Sequence, residues 1–87
     1  MGVLIKADAT QESISPTSGK AFSLEELQGF VGGYIEHIVI TDGRDSFINE
    51  EGKLKGLLYN SYATELYSNP HDVICGDMIV CETGEVE

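Results

Sequence analysis

Residues 22–52, FSLEELQGFVGGYIEHIVITDGRDSFINEEG, decide the architecture of this chain, because they hold a helix start, a helix stop and a hairpin turn in close succession. Ser23 followed three residues later by Glu26 is a capping box, in which each side chain accepts from the other residue's backbone N–H. Phe22 and Leu27 stand at the staple positions that set how the chain enters the helix. Leu24, Leu27 and Val31, with Phe30 beside them, form one apolar stripe at helical spacing, and Gly32-Gly33 supplies the positive φ that ends a helix. A helix of about 12 Å does not persist alone, so the stripe needs a sheet to dock on. The next residues provide it. Ile38, Val39 and Ile40 are apolar on both alternating faces, which predicts a central strand over Tyr34 to Thr41. Asp42-Gly43 is the strongest short turn signal in the chain, Ser46 to Asn49 returns as the second strand of a hairpin, and Glu51-Gly52 closes it.

Outside this stretch the signals are weaker. Val3 to Ala7 reads as a short first strand at a sheet edge. From about residue 8 to 21 the composition turns to Ser, Thr, Gln, Pro and Gly, which predicts a long flexible connecting loop. Its Ser15 to Lys20 segment lacks the glycine spacing of a phosphate loop. Lys53 to Leu58 leads into a second helix N-capped by Asn60, with Tyr59, Tyr62, Ala63, Leu66 and Tyr67 near one face. Asn69-Pro70 stops it, and Val73 to Glu82 reads as the last strand, in which Gly76 marks a bulge or a close backbone approach. Residues 83–87 read as a frayed acidic tail.

The order strand, helix, strand, strand, helix, strand predicts one small α+β domain over residues 1–87. The expected form is a mainly antiparallel sheet of about four strands with two short helices on one face. It is also the element order of the ferredoxin-like pattern. The edges of so small a sheet offer a place for a second copy to pair, which makes a homo-oligomer one expected state.

Charge narrows the partners. Fifteen acidic residues against five basic ones, a formal net charge of −10, repel nucleic-acid phosphates, and Arg44 is the single arginine. No apolar run approaches the roughly 18 residues that span a membrane, so the expectation is a cytoplasmic protein without membrane contact. Within one extended segment Cys75 and Cys81 stand roughly 20 Å apart, too far to pair, and read as small hydrophobes. His37 alternates with Ile35 and Val39 on a strand and reads as a hydrogen-bonded structural histidine. Asp42, Asp45, Glu50 and Glu51 invite a calcium reading, but DGRDSFINEE departs from the calcium-loop pattern. No serine or cysteine sits in a nucleophile-elbow context, and two histidines without ligand spacing make no metal site. The expectation is therefore a non-enzyme with no catalytic residue, metal or cofactor.

The runs LEELQGFVGGYIE at 24–36, NEEGKLKGLLYN at 49–60 and DVICGDMIV at 72–80, with Ala63 three residues after Asn60, resemble a family of small domains of unknown function. That family is met in bacteria, phages and other mobile elements. The resemblance implies a setting, that of phage or mobile-element accessory proteins, and carries no activity or site residue. In that setting the acidic surface and the missing catalytic set point to stoichiometric binding of a host protein, with counter-defence as the purpose. An alternative is a sponge that sequesters a small nucleotide immune signal; another is a small enzyme. For a bound ligand or partner the candidate residues are Tyr59, Asn60, Tyr62 and Tyr67, with Lys53 and Lys55 preceding them. The tyrosines could stack a planar base and Asn60 could read its edge, although rings at this spacing also serve simply to cover a core.

Overall fold

A computed structural model describes residues 2–82; the expected acidic tail lies outside the described residues. Five strands and two helices follow in the order β1 (Gly2–Ile5), β2 (Gln11–Ile14), α1 (Leu24–Val31), β3 (Ile35–Val39), β4 (Asp45–Asn49), α2 (Ser61–Leu66) and β5 (Met78–Cys81). They build one sheet in the order β2-β1-β5-β4-β3, with every neighbouring pair antiparallel. The class is α+β, as expected, but the sheet has five strands rather than about four.

The added strand lies inside the expected loop. Gln11 to Ile14 pairs with β1 from Gly2↔Ile14 to Ile5↔Gln11, after a turn in which the Ala9 N–H donates to the Lys6 carbonyl. Three of its four residues are exposed, so an alternating apolar pattern never marks it. Its existence depends on the ladder that β1 offers.

The expected placement of both helices on one face is also corrected. Strand alternation sends Leu4, Phe47, Ile79 and Cys81 to the face that packs Phe22, Leu27 and Val31 around α1. Ile5, Ile38, Met78 and Val80 go to the opposite face, with Ala63 and Leu66 of α2. Each helix covers a different side. The physical cause is β5, whose four residues Met78 to Cys81 are all buried, because a strand apolar on both faces needs a cover on each. The sequence of elements is thus the expected one plus β2, but the one-sided layering expected with a ferredoxin-like order is absent.

β3 is a sheet edge and not the expected centre; β5 takes the centre between β1 and β4. Ile38 and Ile40 are buried, whereas Val39, on the other face, is about half exposed. At its far end the edge is covered by the 66–68 segment, where Thr41 N–H donates to the Leu66 carbonyl at 2.8 Å and Ser68 N–H to the Val39 carbonyl at 3.2 Å.

The local signals hold closely. Ser23 Oγ accepts from Glu26 N–H at 3.1 Å and Glu26 Oε1 accepts from Ser23 N–H at 3.1 Å, which completes the capping box. Thr17 adds its N–H and hydroxyl to the other Glu26 oxygen, and these hydrogen bonds, that of the Thr17 N–H foremost, hold the Glu26 carboxyl below its ordinary pKa. Gly32 ends the helix at φ +80°. Replacing Ser23 by alanine is expected to cost about 1 kcal/mol and to lower the melting temperature by roughly 4–8 °C. A thermal melt that coincides with wild type would show that the cap contributes nothing.

Candidate functional site

After β4 the chain does not run directly into α2. Residues 50–57 make consecutive turns, in which Lys55 N–H donates to the Glu51 carbonyl at 2.8 Å and Leu57 N–H to the Gly52 carbonyl at 3.0 Å. The excursion then returns to the sheet side through an isolated bridge between Tyr59 and Cys75, flanked by Gly76 N–H to the Leu58 carbonyl at 2.7 Å and Asn60 N–H to the Ile74 carbonyl at 2.9 Å. Between the excursion, the 67–75 segment and the ends of β3 and β4 lies a cleft of about 290 Å³. Its walls combine apolar and ionic groups.

Ile48, Leu54, Val73 and Tyr67 supply the apolar part, and Glu36, Glu50, Lys53 and Asp72 the charges. Glu36 stands directly across the ladder from Ile48, so the β3–β4 register places a carboxylate beside an apolar wall. Lys53 Nζ is ion-paired with Asp72. Hydrogen bonding to Lys53, and then to the Val73 N–H, holds the Asp72 carboxyl below its ordinary pKa, and the same contact with Asp72 holds the Lys53 amine above its own. Both groups are about half exposed, so water screens the pair and its contribution to stability is small. Cys75 is half-buried on the same wall.

Of the six residues expected to form a site, the cleft brings together only Lys53 and Tyr67. Tyr62 lines a separate shallow cavity of about 190 Å³ with Ile5, Lys6 and the β1–β2 turn. Tyr59 is exposed and lines neither cavity. Lys55 lies along the excursion, 4.0 Å from Glu51. Asn60 is the clearest correction: it is 1% exposed, and its amide is engaged with protein on every side. Its Nδ2 donates to the Ile5 and Gly76 carbonyls at 3.0 and 2.9 Å, and its Oδ1 accepts from Ala63 N–H at 3.1 Å. The side chain caps α2, as expected, and ties that helix to β1 and to the approach of β5. It has no edge left for a base.

Sequence reasoning missed Leu54 and Leu58, which are 87% and 71% exposed on the excursion. Their signal was present in KLKGLL, where leucines sit among lysines and a glycine without a helical or alternating partner set. His37 lies where a structural histidine was expected, with Nε2 at 3.1 Å from Asp45 and its ring 5.3 Å from that of Phe47. Of the hairpin carboxylates, Asp42 receives Arg44 Nε at 2.6 Å, Asp45 stands 3.1 Å from His37 Nε2, and Glu51 lies near Lys55.

A family model described as Domain of unknown function (DUF3846) matches residues 2–87 of the chain. Comparison with curated proteins and with solved structures finds no match.

Proposed function

The chain belongs to this family of domains of unknown function, and we propose that it is a non-catalytic binding protein of the phage or mobile-element accessory kind, acting stoichiometrically on a host protein. The observation that carries the reading is the pair Leu54 and Leu58, held almost fully in water on an excursion tied down at both ends. Burying a leucine stabilises by about 1.5–3 kcal/mol, so two such side chains form an anchor that only a partner can use. The acidic balance, fifteen against five, favours a partner with a basic surface and speeds its approach. Counter-defence is the purpose that fits such an accessory role. The sheet edges at β2 and β3 offer a place for a second copy.

The nucleotide-sponge alternative draws on Lys53 and Tyr67, which share the cleft. Lys53 is already engaged by Asp72, and Glu36 and Glu50 on the same walls repel phosphate. The binding reading therefore has the better physical support.

Changing Leu54 and Leu58 together to glutamate tests it. Retention of a host protein from lysate at a one-to-one ratio is expected for wild type, falling by about tenfold or more for the double variant, as for loss of a hot spot. The melting temperature should stay within a few degrees, because exposed substitutions change stability by about 0.5 kcal/mol or less. Equal retention by both proteins would remove the excursion from the interface.

A further inference from the structure

We infer that the cleft beside Leu54 receives an arginine side chain of the protein partner. This rests on the binding reading above and specifies what enters the site. The cleft, about 290 Å³, sits at the lower end of the roughly 300–1,000 Å³ typical of small-molecule sites, so it suits one long side chain better than a large cofactor. Ile48, Leu54 and Val73 bring apolar residues to the lining, suited to an aliphatic stem, and Tyr67 brings an aromatic one, the residue type a guanidinium favours.

Charge decides the sign of the occupant. Glu36, Glu50 and Asp72 against Lys53 leave the lining with two negative charges in excess, three minus one. Lys53 and Asp72 neutralise each other, whereas Glu36 and Glu50 have no side-chain hydrogen bond or ion pair among the described residues. An anion entering the cleft is repelled, and a neutral group leaves both glutamates as they were. A guanidinium gains charge-assisted hydrogen bonds to them, is more weakly hydrated than an ammonium, and stacks on aromatic rings. No arginine of this chain competes, because Arg44, the only one, is bound to Asp42.

The test is a titration of isotopically labelled protein, read at its backbone amides, with N-acetyl-arginine amide. N-acetyl-citrulline amide serves as the uncharged isostere and adenosine monophosphate as the anion. The arginine amide should give saturable shifts at Ile48, Leu54 and Val73, at least about fivefold tighter than the citrulline amide and weakened by added salt. Glu36→Gln combined with Glu50→Gln should abolish that preference while leaving the thermal melt unchanged. No saturable shift, equal affinity for the citrulline amide, or adenosine monophosphate in the cleft would each overturn the inference.

Partner retention separates this inference from the reading beneath it. A partner held equally by wild type and by the double glutamine variant, but lost from the Leu54 and Leu58 variant, would overturn the cleft assignment and leave protein binding standing. Charge-dependent binding of the arginine amide with no partner retained would overturn the protein-binding reading and leave the cleft selective for a guanidinium.

Discussion

Replacing Asn60 with alanine is expected to lower the melting temperature by about 15 °C or more, at the limit leaving the domain unfolded at room temperature. The side chain is 1% exposed and makes three hydrogen bonds, all to backbone groups. Losing the helix cap costs about 1 kcal/mol. The change also strands the Ile5 and Gly76 carbonyls in the interior, at about 1–3 kcal/mol each unless water reaches them. The sum, about 3–7 kcal/mol, is a large share of the roughly 5–10 kcal/mol that holds a domain of this size. Asn60→Ser separates the contributions, since a serine caps the helix but reaches neither carbonyl as a pair of donors. It should fall between wild type and the alanine variant. A melt of the alanine variant within about 3 °C of wild type would mean that water replaces the amide at both carbonyls.

The second large effect is expected at Gly52. A Cβ at this position would lie 2.4 Å from the Cys75 carbonyl oxygen, 3.3 Å from its carbon and 3.4 Å from the Asn49 carbonyl oxygen. All three atoms are backbone, so no rotamer change relieves the contact; the excursion must move off the 74–76 segment. Gly52→Ala should destabilise by about 2–3 kcal/mol, the upper part of the range for overpacking. Exchange of the Gly76 amide, which donates to Leu58, should speed up as the two segments part. Both Gly52 and Cys75 line the cleft, so its shape should change with them. Gly29→Ala gives the opposite sign. Gly29 lies inside α1, where an added methyl group would meet nothing within 4 Å beyond its chain neighbours and the helix's own backbone, and the substitution should stabilise by about 1 kcal/mol through helix propensity. If Gly52→Ala melts no lower than wild type, the two segments do not hold each other as closely as the contact requires.

What could be read from the residues alone was whatever closes within a few positions along the chain. The capping box joins Ser23 to Glu26, Gly32 ends α1 at φ +80°, Gly43 takes φ +84° in the hairpin turn, and Asn60 caps α2 through Ala63. Each of these needs only its own neighbours, so the residue types suffice to specify it. The run Met78 to Cys81 lies inside the expected last strand, and the structure buries all four of its residues in succession, which requires a cover on both faces. Read in isolation, it did not say which helix covers which face.

Tertiary structure decided the rest. Gln11 to Ile14 is a strand because β1 lies beside it; its own polar residues carry no alternation. The apolar run around Ile38 belongs to an edge because β5, from the far end of the chain, takes the centre between β1 and β4. The same long reach settles the site. Asn60 donates to a carbonyl 55 residues away and so is withdrawn from any ligand, while the tyrosines around it part between two cavities and open solvent. The cleft in their place joins Glu36 of β3 to Leu54 and Asp72 from later segments. Spacing along a chain cannot express such a meeting, because hydrophobic burial on two faces, and not local geometry, brings those segments together.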